Sequence, residues 1–472
     1  MNDRNLSFTP AWELRELLGS RKVSAVELTE LYLRRIEKFN PELNAFLTVT
    51  AEEALLEART ADTKLAKGEQ RSPLLGIPIS IKDLEITKGI RSTMGSLIFK
   101  DVVPNQDSAV VERIRGSGAI ILGKTNTPEF GLSGSTENRL GGACRNPWNI
   151  ERTSGGSSGG AAAALAAGLC PLATGSDGGG SIRIPSSFCG LYGIKPTLGR
   201  VPRYGGFGEP SPNLTSQSGP MARNVRDATM LLEVLSGYDS RDPISIRETP
   251  LDCVADLDQG VQGLRIAWSR DLGYAAVEAE VVDLTVQGVK VFQELGCSVE
   301  EPGICLDYPM NSFLDIFATN AYASYGSLYH EYPELLSDYV RDNLDRGRRT
   351  SGADYARALL AVHIIRGKLD DLFEDFDLLM TPTMAVSAFP VGQQPKSIGG
   401  REVHPRWDYL PFTPVFNLTG QPAANIPCGF TTDGMPVGLH IIGRRGEEST
   451  VLRASAAFEQ ARPWNHIWPT VS

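Results

Sequence analysis

Histidine is scarce in this chain, with 5 in 472 residues, at positions 330, 363, 404, 440 and 466. None stands in a Gly-rich or otherwise marked context, so most read as ordinary surface or core residues. Cysteine is little used as well. The seven, at 144, 170, 189, 253, 297, 305 and 428, are odd in number, widely scattered, and lack CxxC pairs or histidines at metal-ligand spacing. That pattern excludes a disulfide framework or a structural metal site and implies reduced, mostly buried thiols. No segment stays apolar long enough to span a bilayer, and the N-terminus mixes acids with bases and has no apolar run of signal-peptide length. A cytoplasmic protein without membrane contact is expected. Basic charge is in deficit: 46 Lys and Arg against 56 Asp and Glu give a formal net charge of −10. A surface of that sign repels phosphate backbones, which argues against nucleic acid as a partner. Internal repeats, linker-like low-complexity stretches and long charge runs are missing too.

What is present suits a large core, at 41% hydrophobic residues. Ser24 followed by Glu27 forms a capping box that opens a helix with Leu28, Leu31 and Ile36 on one side, which Asn40-Pro41 stops. A second helix spans about 51–67. Ile77, Ile79 and Ile81 then alternate with Pro78, Ser80 and Lys82, a strand pattern that puts Lys82 on the face opposite the isoleucines, at the strand's exit. Short buried strands are expected at 119–122 and 171–174, separated by a Gly- and Ser-rich loop that enters the alanine run 161–167. Helices follow at 225–235, 278–295 and 354–372, with a strand at 264–268. Strand signals return at 378–380 and on both sides of Thr432-Asp433-Gly434, before a last helix at 448–460. The alternation of strands and helices predicts α/β layering.

Three motifs carry possible chemistry. Residues 118–125 satisfy the literal P-loop string, but the variable positions are Ala-Ile-Ile-Leu, which are strand residues, and Asn126-Thr127-Pro128 breaks any helix at once. Phosphate binding is therefore not expected. Gly155-Gly-Ser157-Ser-Gly159 satisfies the GxSxG string of a nucleophile elbow, with the alanine run as its helix. The preceding residues 146–153 read as turn rather than as the buried strand an elbow needs, and a histidine-dependent esterase stays an open alternative. The third motif is Asp177-Gly178-Gly179-Gly180-Ser181-Ile-Arg183. Glycines directly before a serine let the backbone approach a ligand and aim successive N–H groups at one point, as an oxyanion hole requires. A flexible surface turn is the bland reading of the same run. Against it stand a second Gly-Ser cluster 24 residues upstream and the lysine at a strand exit.

The stretch from Gly155 to Ser187 closely resembles the amidase signature family. Similar landmarks occur in order at Leu75-Gly-Ile-Pro-Ile-Ser-Ile-Lys82-Asp83, Leu122-Gly-Lys-Thr-Asn-Thr-Pro-Glu-Phe130, Asn146-Pro-Trp-Asn149, Gly193-Ile-Lys-Pro-Thr197, Gly420-Gln-Pro-Ala423 and Gly434-Met-Pro-Val-Gly-Leu439. The resemblance implies an α/β fold: one large domain, 1–472, with a mixed twisted sheet covered by helices on both faces. Within it, 70–206 would be the catalytic core, 207–376 a mainly helical elaboration on the substrate side, and 377–472 a return to the core sheet. It further implies a Ser-cisSer-Lys triad with Ser181 as nucleophile, Ser157 as bridging serine and Lys82 as base. Ser158 shares the cluster, and the family's 24-residue spacing selects Ser157. Backbone N–H groups of Gly178, Gly179, Gly180 and Ser181 would hold the oxyanion, and Asp177 and Arg183 would shape that loop. Family members usually carry threonine at the place of Ser176 and often a larger residue at that of Gly178, which leaves the width of the acyl pocket open.

The resemblance implies a serine amidohydrolase without metal or cofactor, acting on small to medium aryl or alkyl amides, with esters and carbamates sharing the same tetrahedral chemistry. Ser133 and Gly134, the segment Arg203-Tyr-Gly-Gly-Phe207 and Trp407 are candidate pocket walls. The family also includes the glutamine-amidase component of tRNA amidotransferases, whose version of the loop Ser133-Gly-Ser-Thr-Glu-Asn138 is similar. The residues after Arg203-Tyr204 are unlike that component, and a stand-alone hydrolase is favoured. The oligomeric state stays open, a homodimer included.

Overall fold

Every residue of the predicted isoleucine strand, Pro78–Lys82, is buried in the computed structural model, which describes residues 2–69, 72–205, 214–248 and 252–472. This strand, β2, belongs to one sheet of eleven. The others are β1 (Phe46–Val49), β3 (Ile120–Thr125), β4 (Leu172–Asp177), β5 (Tyr192–Lys195), β6 (Gln217–Ala222), β7 (Arg265–Trp268), β8 (Ser298–Glu300), β9 (Leu378–Pro382), β10 (Ala423–Phe430) and β11 (Pro436–Gly443). In space they run β1-β3-β2-β4-β6-β5-β10-β11-β9-β7-β8. Two parallel triads, β3-β2-β4 and β9-β7-β8, are joined by antiparallel pairs, so the sheet is mixed. Helices flank it to make a single α/β domain. Among the described residues no helix is long and apolar enough to cross a membrane. The cysteines are all unpaired; five are buried, Cys428 is half-buried and Cys305 is exposed.

Several local expectations need correction. The first long helix, Ala25–Leu43, opens with the expected box at Ser24 and Glu27 but runs through Pro41. A proline in the last turn removes one backbone donor only, and Asn44, left-handed at φ 51°, closes the helix beyond it. The strands expected at 119–122 and 171–174 are longer, because the polar residues that follow each apolar run, Lys124 and Thr125 in one and Ser176 and Asp177 in the other, are buried by partners brought from elsewhere in the chain. Residues 146–153 form a small hairpin, Arg145–Asn146 with Asn149–Thr153, rather than a turn. The segment 207–376 is not helical elaboration alone. Its β6 lies between β4 and β5 in the middle of the sheet, and two helices, Met310–Glu331 and Asp338–Arg349, escaped the pattern reading.

The site depends on how closely one helix approaches the strands. Gly159–Ala166 consists of glycine, alanine and one leucine, and all eight residues are buried. Small side chains let it sit directly behind β2 and β4, so that its N-terminal serines arrive beside Lys82. The approach is tightest at Gly160, whose amide donates to Asn126 O at 3.1 Å. A Cβ there would lie 2.3 Å from Asn126 N and 2.5 Å from Ala45 O, both backbone atoms. Gly160→Ala is therefore expected to destabilise the fold by about 1–3 kcal/mol or more, since backbone cannot swing aside. Chemical denaturation of the two proteins checks this; equal unfolding free energies would contradict the packing described.

Candidate active site

Lys82 ends β2 with its side chain fully buried. Its amide donates to Thr174 Oγ1 at 3.0 Å, which ties the strand end to β4. Its Nζ lies 2.7 Å from Ser157 Oγ and 2.8 Å from Ser158 Oγ, and donates to the Ser176 carbonyl at 3.2 Å. The Gly156–Ser157 peptide bond is cis, as the resemblance implied. Burial, with Arg203 adding to it, pushes the Lys82 pKa down to about 7 against the opposing pull of Asp177 and Glu85. Near neutral pH a large fraction of this amine is uncharged.

Burial alone does not make a base. Lys195 is equally buried, and burial together with the Arg183 charge takes its pKa to about 7 as well. Its Nζ, however, donates to the carbonyls of Pro196, at 3.0 Å, and Gln421, and meets no hydroxyl. Lys124, the lysine of the P-loop-like string, is paired with Asp83 at 3.2 Å and donates to Glu85 O and Ser92 Oγ. The residues before it, Ile120–Leu122, are strand, so no phosphate cradle forms. Of these buried lysines, Lys82 alone meets two serine hydroxyls.

Ser181 follows β4 and is 8% exposed, against 2% for Ser157 and 0% for Ser158, so it is the member of the cluster open to a ligand. Its carbonyl accepts from Ser158 N at 3.2 Å, which fixes the two serine turns against each other. Among the described residues no hydrogen bond joins Ser181 Oγ to Ser157 Oγ. The loop around Ser181 is clamped by Asp177, whose Oδ1 accepts from Gly180 N at 2.7 Å and whose Oδ2 accepts from Ile182 N at 3.2 Å. This corrects one expectation: the Gly180 amide is committed to Asp177, whereas the amides of Gly178 and Gly179, both half-buried, and of Ser181 have no partner among the described residues. Arg183 grips the same carboxylate in two-pronged fashion, with Nε and Nη2 each 2.9 Å from an oxygen. Burial would raise the Asp177 pKa, but Arg183, with Lys195 and Asn417, outweighs it and holds the carboxyl well below the usual carboxylate range.

The three glycines differ. A Cβ on Gly180 would lie 2.3 Å from Thr413 Oγ1, and one on Gly179 2.6 Å from Phe313 Cζ, whereas one on Gly178 would meet Ser216 and Phe317 at ordinary contact distances of 3.5 and 3.6 Å. Phe313 and Phe317, on the helix Met310–Glu331, stack at 5.1 Å, and both meet Trp407 edge-on. The predicted wall residue Trp407 thus stands behind two phenylalanines that sequence reasoning missed, because nothing local marks that helix as facing Gly178 and Gly179. Gly134 is packed under Tyr409 and Leu410, and its loop lies against Gly156, the neighbour of Ser157. Ser133 Oγ accepts from Ser135 N at 3.2 Å within that loop. Arg203 donates to Ser216 O at 3.2 Å; Gly206 and Phe207 of the same expected wall lie outside the described residues. Among the described residues no histidine hydrogen-bonds Ser157 or Ser181, as the base of an esterase elbow would.

Comparison with known proteins bears on the family and the fold. The family model for Amidase matches residues 27–452. An acylamidase of Rhodococcus erythropolis is 36% identical over 98% of both chains. A component of the glutamyl-tRNA(Gln) amidotransferase of Moorella thermoacetica is 38% identical over 98% of this chain and 99% of its own. Among solved structures, a bacterial aryl acylamidase of the amidase signature family superposes with a TM-score of 0.91 at 34% identity, covering 97% of each chain. A 6-aminohexanoate cyclic dimer hydrolase complexed with substrate superposes with a TM-score of 0.87 at 29% identity, covering 98% of this chain and 99% of its own.

An amine held uncharged in the fold, where the unfolded chain would protonate it, makes the unfolded state the stronger proton binder. Stability then climbs as pH rises from about 7 towards the unfolded lysine value of about 10.4. Lys82→Met removes one contributor to that climb while Lys195 keeps the other. Urea midpoints at about pH 7 and about pH 9.5 are expected to rise less in the variant than in the parent; parallel changes would contradict a neutral Lys82.

Proposed function

The chain belongs to the amidase signature family, and from that premise we propose that it hydrolyses carboxamide bonds through an acyl-enzyme on Ser181, with Ser157 as proton relay and Lys82 as base. The observation that carries this reading is the buried Lys82 amine, within hydrogen-bond distance of two serine hydroxyls and with a pKa near the working pH. Such an amine has two N–H donors and one lone pair. The Ser176 carbonyl can only accept, so it takes one N–H. Ser158 Oγ lies within 3.4 Å of the same carbonyl and can donate to it while accepting the second N–H. That leaves the lone pair for the Ser157 hydroxyl proton and frees Ser157 Oγ to accept the proton of Ser181.

The steps then balance. When substrate brings Ser181 Oγ to Ser157, its proton passes to Ser157 as the Ser157 proton passes to Lys82, and Oγ bonds to the carbonyl carbon. The oxygen that gains charge meets the amides of Gly178, Gly179 and Ser181, a contribution of about 3 kcal/mol or more per strong donor. Collapse breaks the C–N bond as the proton returns through Ser157 to the departing nitrogen. Water repeats the relay on the acyl-enzyme and releases the acid.

The aromatic wall of Phe313, Phe317 and Trp407 beside Gly178 and Gly179 supports an aryl or extended alkyl group next to the scissile bond. The acylamidase relatives agree with that size and chemistry, and esters and carbamates fit the same steps. Ser133 and Gly134 would border the pocket from the side of the bridging serine. The full-length similarity to a tRNA amidotransferase component favours one second reading, glutamine amide hydrolysis in a larger assembly.

Purified protein is expected to turn over at least one of anilides, primary amides or carbamates, and Ser181→Ala to lose at least about a thousandfold in kcat/KM. No turnover in any class, or full activity in that variant, would sink the proposal; glutaminase activity only with added partner proteins would favour the second reading. Because Lys82 must be uncharged to begin the relay, kcat/KM is expected to rise with pH through a single inflection near 7. A profile flat from pH about 5.5 to about 9 would mean that another group, or none, is the base.

A further inference from the structure

His440 takes no part in the relay, yet its position in the fold is specific. It sits in β11, fully buried, edge-on to Phe416 with ring centroids 5.3 Å apart. Its Nε2 is 3.0 Å from Arg183 Nη1 and its Nδ1 3.3 Å from Thr381 Oγ1. A guanidinium has donors only, so Nε2 accepts and the ring proton lies on Nδ1. Nδ1–H then donates to the Thr381 hydroxyl, which itself donates to Pro382 O at 2.8 Å. Every partner is satisfied by the neutral ring in this one tautomer. Burial, with the Arg183 charge beside it, holds the imidazole pKa well below its ordinary value, in agreement with the geometry.

Arg183 makes three further side-chain contacts, two to Asp177 and one to Asn417 Oδ1 at 2.7 Å. Asp177 in turn accepts the amides of Gly180 and Ile182, the residues on either side of Ser181. We infer that His440 is a positioning residue for the nucleophile loop: it orients the guanidinium that orients the carboxylate that holds the backbone flanking Ser181. Without an acceptor at Nε2, Arg183 keeps a buried charged N–H unpaired, and turning to satisfy it breaks the two-pronged grip. The inference rests on the reading of Ser181 as nucleophile.

Glutamine and asparagine separate the two ring contacts. A Gln carbonyl reaches the place of Nε2, while the shorter Asn reaches only that of Nδ1. The variants His440→Gln, His440→Asn and His440→Leu would be compared with the parent in three measurements: kcat and KM on an accepted amide, the rate of labelling by a fluorophosphonate ester, and thermal melting. His440→Gln is expected within about threefold of the parent in kcat and labelling, and His440→Asn and His440→Leu at least about tenfold lower in both, with KM little changed and the proteins folded at assay temperature. Should the leucine variant fail to fold, the Gln and Asn pair decides. Parent-like kcat and labelling in His440→Asn, equal losses in His440→Gln and His440→Asn, or losses that only track unfolding would overturn the inference. A parent enzyme that neither hydrolyses amides nor takes the label would instead refute the reading of Ser181, whatever His440 does.

Discussion

Keeping one amine dry is the constraint on which the rest of this structure depends. A large fraction of Lys82 is uncharged near neutral pH because burial keeps water from around it, which leaves the two N–H groups and lone pair of the neutral amine to be satisfied by protein. Two hydroxyls and a carbonyl do so, and the same three oxygens can accept all three protons of the ammonium form. The pocket therefore tolerates both protonation states with little rearrangement. A group that takes up and returns a proton in each turnover, the role proposed for Lys82, needs such surroundings.

The same economy explains the polar groups beneath the Gly-rich loop. Asp177, Arg183, Asn417 and His440 are all completely buried, and such groups are costly unless each finds its partners. Here they satisfy one another and the backbone of the loop, so their geometry has few alternatives. Rigidity of that kind suits a set of amides that must be in place before charge develops rather than assemble around it. Lys195, buried to the same degree and with a similarly lowered pKa, shows that desolvation prepares a lysine for base chemistry without assigning it any. What distinguishes Lys82 is the pair of serine hydroxyls beside it.

Much of this was legible in the sequence, for local reasons. The isoleucine alternation placed Lys82 at a strand exit, the glycine run announced a backbone open to close approach before Ser181, and the alanine run announced a helix packed close behind the sheet. Strand lengths were underestimated wherever polar residues continued an apolar run, because their burial depends on partners far away in sequence. β6 was missed for the same reason, since Gln217-Ser-Gly-Pro has no β-branched or apolar signal and is a strand only because β4 and β5 lie on either side. The commitment of the Gly180 amide to Asp177 was hidden as well, because three glycines look alike until a carboxylate chooses one. His440 gave no local sign of its contact with Arg183, which only the pairing of distant strands creates.

The residues that would transfer protons all lie between Lys82 and Arg183, while the aromatic wall comes from Phe313, Phe317 and Trp407, contributed by later parts of the chain. Gly178, with room for a methyl group against that wall, is where the two sets meet. On the proposed reading, chemistry and selectivity are thus written in separate stretches of one gene. A lineage could retarget such an enzyme by drift along a single helix, leaving its proton path inherited unchanged.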